Sequence, residues 1–143
     1  MRKIFYVVLL AGVALSVASC CSCRKTKAPL VADSRWELIE INSSVIDRTA
    51  DSNKYTLYLG PDKSYNGVGD CNRYFGTYEM DKNEYTIEFS MPASTRMMCP
   101  DQASETGFLQ MLGNVKKYKL DGDVLTLIGA NDESLASFRK KEK

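Results

Sequence analysis

From Arg35 onward the chain alternates apolar and polar positions in short runs, the two-residue period of a strand with one wet face. "RWELIEI" (Arg35 to Ile41) and "YTLYL" (Tyr55 to Leu59) are the first such runs, separated by a polar loop that holds Asn42, Ser43, Ser44 and Asp51. "GPDKS" follows, with Gly60, Pro61 and Asp62 as turn residues, and Tyr65 opens the second strand of a hairpin. "RYFGTYEM" and "YTIEF" predict another hairpin around "DKNE" (Asp81 to Glu84). Here Tyr85, Ile87 and Phe89 fall on one face, and Thr86, Glu88 and Ser90 on the other.

Asp101 to Leu112 changes period. Ser104, Phe108, Met111 and Leu112 are spaced to share a helical face, with Asp101 placed to cap the helix and Gly113 to stop it. "VKKYKL", "VLTLI" and "SLASFR" then predict a closing meander, turned by "DGD" (Asp121 to Asp123) and "GAND" (Gly129 to Asp132). The expected fold class is therefore mainly β: about eight short antiparallel strands in a small barrel or strongly curved sheet, with one inserted α-helix. A sandwich is the alternative.

The N-terminus has a different character. "MRKIFYVVLLAGVALSVASC" starts with Arg2 and Lys3, continues in an apolar run and ends on small residues before Cys20, the layout of an export signal. Val17-Ala18-Ser19-Cys20 resembles the bacterial lipobox, which implies cleavage before Cys20 and acylation of its thiol. Several acyl chains anchor stably where one alone binds marginally. The predicted organisation is a signal peptide over 1–19, lipidated Cys20 and a flexible tether over 20–34, and one domain over 35–143. Cys21 and Cys23 beside Cys20 do not make a metal site, because a lipidated Cys20 is not a thiolate ligand and a closed tetrahedral site needs four.

With 143 residues and 44% apolar composition, the chain can fill one modest core and not two. Its formal charge of +1 gives no reason to expect nucleic acid as a partner. Removal of Arg2 and Lys3 leaves 17 of 19 basic side chains against 18 acidic ones, so the mature chain is close to neutral. There is no histidine, which excludes Ser-His-Asp and Cys-His catalysis and imidazole metal sites.

"GVGDCNRYFGTY" (Gly67 to Tyr78) is the densest stretch. Gly67-Val68-Gly69 is not a dinucleotide loop, since Asn72 stands where the third glycine belongs and no helix follows. The glycines are expected to allow a bulge or tight bend. In an exported domain Cys71 and Cys99 pair more often than they act; two buried free thiols or a redox site are the open alternatives. "PASTRMMCPD" contains no Ser-x-x-Lys nucleophile, and its methionines fill core gaps more often than they hold copper. Arg96, if inward, needs a carboxylate, with Asp70 as the candidate partner; it would be a structural pin or a ligand anchor. Asn72 and Arg73 belong to the same candidate corner.

Trp36-Glu37-Leu38, "GVGDCNRYFGTY", "STRMMCP" and "FLQMLGNVKKYKLDGDVLTL" together resemble the META domain, the HslJ-like family of heat-shock-associated and lipoprotein domains, from Arg35 to Phe138. The G-x-x-C-N-x-[FY]-x-G-x-Y element falls on Gly69, Cys71, Asn72, Tyr74, Gly76 and Tyr78, one residue short between Gly69 and Cys71. The T-R-M-x-C-P element falls on Thr95, Arg96, Met97, Cys99 and Pro100. The resemblance implies a compact barrel-like fold with one helix, similar in shape to secretin pilot lipoproteins, and no established activity, cofactor or catalytic residues. Family associations are with heat stress, drug tolerance, secretion and motility. The expected protein is a membrane-anchored envelope lipoprotein at the outer membrane, facing the periplasm or cell surface. Its META domain would be non-enzymatic and serve as a binding or stress-response module, with no cofactor and no metal. Its expected partners are the membrane, through the lipid, and an envelope protein or an apolar ligand carried in the barrel.

Overall fold

The computed structural model describes residues 30–42, 44–45 and 53–141. The expected signal peptide (1–19), the expected lipidation site Cys20, and Cys21 and Cys23 in the expected tether lie outside the described residues. The elements are β1 (Ser34–Ile41), β2 (Ser44–Val45), β3 (Thr56–Leu59), β4 (Ser64–Val68), β5 (Arg73–Asp81), β6 (Thr86–Phe89), β7 (Ala93–Ser94), α1 (Gln102–Gly113), β8 (Lys117–Asp121), β9 (Val124–Ile128) and β10 (Ser134–Lys140).

The strands pair antiparallel in the order β10-β9-β8-β6-β5-β4-β3-β1, and β10 pairs with β1, so these eight strands close into a ring. Closure removes the exposed edges of an open sheet and decides for the barrel over the sandwich. Short β2 extends from β1, and β7 pairs with the first half of β5. Register shifts fall between Leu38 and Glu40 in β1 and between Ser134 and Ala136 in β10. Of the expected bulge or tight bend, the bulge is not formed, since β4 runs in unbroken register with both neighbours, and the bend falls at Gly69 to Asn72, between β4 and β5.

The glycines serve packing instead. Across the β4–β5 pair Tyr65 stands opposite Gly76 and Gly67 opposite Tyr74, so each inward tyrosine lies over the bare backbone of a glycine. A Cβ at Gly76 would sit 2.6 Å from the Tyr65 ring, and one at Gly67 would be 2.6 Å from the Tyr74 hydroxyl and would overlap the Thr56 carbonyl. Buried tyrosines need partners for their hydroxyls, and each finds a carbonyl: Tyr74 donates to Thr56 O (2.6 Å), Tyr65 to Ser90 O (2.7 Å) and Tyr78 to Gly60 O (2.8 Å).

Trp36, Tyr65, Tyr74, Phe108 and Phe138 are at most 1% exposed and occupy the middle of the ring. Helix α1 supplies Phe108, whose ring packs on Tyr55 (5.2 Å between centroids), Tyr74 (5.6 Å) and Phe138 (6.4 Å). Three expectations change here. Ser104 is exposed and Glu105 takes its place on the buried helix face beside Phe108, Met111 and Leu112. Gly113 is the last helical residue, and Asn114 closes the helix through its N–H to Met111 and Leu112 carbonyls. Tyr85 leaves the inward face because it sits in the turn with φ +55° and its ring is exposed. Asp101 caps the helix as expected, accepting from the Ser104 N–H at 3.0 Å. Val31 belongs to the buried core, and its carbonyl accepts from the Trp36 indole at 3.2 Å.

Candidate functional site

The connection from β4 to β5, Gly69 to Asn72, is a tight turn closed by Gly69 N–H to Asn72 O at 2.8 Å. Such a turn points successive N–H groups the same way, and they converge on an anion. That anion is Glu105. Its Oε2 accepts from the Cys71 and Asn72 N–H groups, both at 3.0 Å, and its Oε1 accepts from Asn72 Nδ2 at 2.7 Å. Gly69 makes room for it, since a Cβ there would sit 2.8 Å from Glu105 Cγ. Burial is the largest single influence on Glu105 and opposes its charge. The Asn72 and Cys71 N–H groups and the Asn72 side chain, with help from the Asp70 N–H, outweigh it and hold the carboxyl below its ordinary value of 4.5.

Asn72 is the hub. Its Oδ1 accepts from Met97 N–H (2.7 Å) and the Thr95 hydroxyl (2.8 Å), while Nδ2 donates also to Met97 O (3.1 Å). Thr95 Oγ1 in turn accepts from Arg73 N–H at 3.1 Å. The two separated motifs, Gly69 to Tyr78 and Thr95 to Pro100, are thus bonded residue to residue around one buried amide. Cys71 and Cys99 form a disulfide between them. Cys99 Sγ lies 3.4 Å from Glu105 Oε2; an oxidised sulfur carries no proton, so this is a packing contact. Cys71, Cys99 and Glu105 cluster as metal ligands would, but the sulfurs are bonded to each other and the carboxylate already takes three N–H donors.

Asp70 is 7% exposed and pairs with Lys54, Nζ to Oδ1 at 2.6 Å, while its Oδ2 faces the Asp101 N–H at 3.4 Å. Arg96 is not its partner: Lys54 takes Asp70, and Arg96 lies in an exposed segment, 93–98, that reaches Asn72 through the Thr95 hydroxyl and the Met97 backbone. Arg73 is exposed as well. Tyr55 stands over the corner with φ +51°; burial first, then Asp70, Asp101 and Glu105, push its hydroxyl up to about 12. Among the described residues no buried side-chain nitrogen or oxygen lacks a hydrogen-bond partner, so the corner is a completed structural knot rimmed by two exposed arginines. Glu105 was missed because a charge inside an apolar helix stripe contradicts the pattern that locates the stripe, and Lys54 because its pairing with Asp70 spans 16 residues with no local period to mark it. The available signal was the turn itself, whose converging N–H groups require an acceptor.

The staple spans 28 residues, for which the chain-entropy model gives about 3–4 kcal/mol. The Cys71→Ser, Cys99→Ser double variant is expected to lose that much in urea unfolding, with a larger m-value because the unfolded chain is no longer held compact. A loss below about 1 kcal/mol would assign the stability of the corner to Asn72 and Glu105 alone.

Elsewhere the outer surface has two adjoining grooves. One, of about 870 Å³, is lined by Asp33, Arg35, Tyr58, Asp123, Arg139 and Lys140 among others; the second runs from Arg35 and Tyr58 across β3 and β4 to Arg73 and Phe75.

Fold and corner together define a small closed antiparallel barrel, plugged by one helix and stapled where two sequence motifs meet. The family model of the META domain matches residues 28–142, and the chain belongs to the META domain family. No curated protein matches it in sequence. Among solved structures it is similar to a DUF4847 family protein from Bacteroides vulgatus (TM-score 0.58, 14% identity, covering 78% of this chain and 95% of that one). It is also similar to a protein from Burkholderia xenovorans (TM-score 0.61, 21% identity, 78% and 84% covered). These likenesses carry the fold alone. Among the described residues the buried core runs from Val31 to Phe138, within the residues that the family model matches.

Proposed function

We propose that the chain is an exported envelope lipoprotein, anchored through acylated Cys20, whose META domain is a non-enzymatic binding module at the outer membrane, facing the periplasm or cell surface. The observation that carries this reading is the order of parts in the sequence: a basic start, an apolar run, Val17-Ala18-Ser19-Cys20, a short polar tether and then a META domain. The absence of histidine from the sequence and the engagement of Glu105, Asn72 and Asp70 in structural bonds both favour binding over catalysis. The aromatic filling of the ring favours a surface binding role over carriage of an apolar ligand inside. Arg73 and Arg96, exposed at the rim of the corner, are the side chains that a protein partner in the envelope would meet.

Globomycin, which blocks lipoprotein signal cleavage, is expected to accumulate the precursor, and Cys20→Ala is expected to leave the outer-membrane fraction and lose incorporation of labelled palmitate. A mature, membrane-bound Cys20→Ala protein would overturn the anchor.

A further inference from the structure

The near-neutral charge of the chain conceals a segregation that only the fold reveals. Lys140 stands opposite Trp36, and the Lys141 N–H donates to Arg35 O at 2.8 Å, so the last strand ends where the first begins. Leu30 is at the same place, its carbonyl taking the Ser34 hydroxyl at 2.6 Å. Arg35, Arg139, Lys140 and Lys141 therefore gather at one end of the barrel, around the groove of about 870 Å³. The local acids do not cancel them. Glu37 takes Lys141 at 2.6 Å, and Asp33 accepts from the Tyr58 hydroxyl at 3.3 Å; Asp123 also lines the groove. Among the described residues Arg139 and Lys140 have no ion-pair partner, and the Arg35 guanidinium rests 5.6 Å over the Tyr58 ring, which steadies it without consuming its N–H donors.

We infer that this end of the barrel is a docking face for anionic phospholipid headgroups, with the phosphate taken by Arg35, Arg139 and Lys140. Guanidinium forks match phosphate oxygens two at a time, and a lysine adds a point charge. The occupant follows from the course of the chain, and this step rests on the lipoprotein reading. Residues 21–29 are all that separate Cys20 from Leu30, a stretch that reaches about 35 Å at most when fully extended. The groove beside Leu30 is thus the polar surface with the shortest path to the bilayer. Arg24, Lys25 and Lys27 lie within that same stretch of sequence. The lipid supplies the anchor, and the basic end sets which way the barrel sits on the membrane, leaving the Arg73 and Arg96 corner free for a partner.

The test uses the chain from Ser22 onward, which has no acyl group, in sedimentation with vesicles of phosphatidylcholine alone or with a quarter phosphatidylglycerol, at moderate salt. Binding is expected only with phosphatidylglycerol and weakens with added salt. The Arg35→Glu, Arg139→Glu, Lys140→Glu variant should lose about tenfold or more in partitioning. A variant with the same change in charge on and just before β8, Lys116→Glu, Lys117→Glu and Lys119→Glu, should stay within about twofold. Circular dichroism checks that both variants are folded. Equal binding to both vesicle types, or equal loss in both variants, would overturn the docking face. Complete displacement by millimolar inorganic phosphate would make the groove a site for small anions and overturn the lipid assignment. Because no acyl chain is present, failure here leaves Cys20 anchoring standing, and failure of the globomycin experiment leaves this result standing.

Discussion

Glu105→Gln is expected to destabilise the domain by about 2–4 kcal/mol, far more than a charge-neutralising change on a helix normally costs, because it leaves buried donors facing donors. A glutamine fills the same space but offers one oxygen where the corner uses two. If that oxygen meets the Cys71 and Asn72 N–H groups, its amide nitrogen confronts Asn72 Nδ2; reversed, it confronts the two backbone N–H groups. Turning Asn72 over does not help, since its Oδ1 already serves Met97 N–H and Thr95. The melting temperature should fall by roughly 10 °C. Exposed Glu84→Gln, as control, should stay within about 0.5 kcal/mol.

The pH dependence separates this account from simple loss of packing. The folded carboxyl of Glu105 lies below the 4.5 of an ordinary glutamate, so the folded state binds its proton less readily than the unfolded chain does. Its contribution is therefore complete above about pH 5 and is lost as pH falls through the folded value. The stability gap between wild type and Glu105→Gln should narrow on that acid limb. Asp62 and Asp101 also titrate there with depressed values, but they are present in both proteins and cancel in the difference. A gap below about 1 kcal/mol, or one constant from pH 7 to 3, would show that the N–H groups of the turn do not depend on this carboxylate.

The contrast between Glu105 and the strands marks what the sequence makes legible. Strand period survives folding because inward and outward faces are fixed by the backbone; Ile87 and Phe89 are buried and Glu88 exposed, as alternation requires. Ring closure is a long-range pairing of β1 with β10, roughly a hundred residues apart, and local period suggests it without fixing it. The expected pairing of Cys71 with Cys99 is formed, whereas the expectation that Arg96, if inward, pairs with Asp70 is not met. The structure gives Asp70 to Lys54 instead, and Arg96 lies exposed between Thr95 and Met97, which are exposed as well. In "GVGDCNRYFGTY" the bend at Gly69 is legible, and the packing role of Gly67 and Gly76 is not, because an opposing tyrosine is visible only once the register is known.

Phe108→Ala should cost about 3–5 kcal/mol, the range for emptying a well-packed aromatic site, and its effect should not be spread evenly over the molecule. The eight-stranded ring closes through backbone pairing that does not involve α1, while the helix is held to it by Phe108, Met111, Leu112 and the Glu105 bonds. Removing the ring that touches Tyr55, Tyr74 and Phe138 cuts the attachment of the helix more than the continuity of the sheet. Native-state hydrogen exchange should therefore show α1 amides losing protection by a larger factor than those of β3, β4 and β9. Leu109→Ala, at a partly buried position on the same helix, is expected to cost less than half as much, which controls for helix propensity. Uniform loss of protection across helix and ring would mean that the barrel cannot persist without its plug, making Phe108 a keystone of the whole fold. A cost below about 1.5 kcal/mol would mean that the neighbouring rings collapse into the vacated space, and the interior would then be soft enough to reopen the case for a ligand inside it.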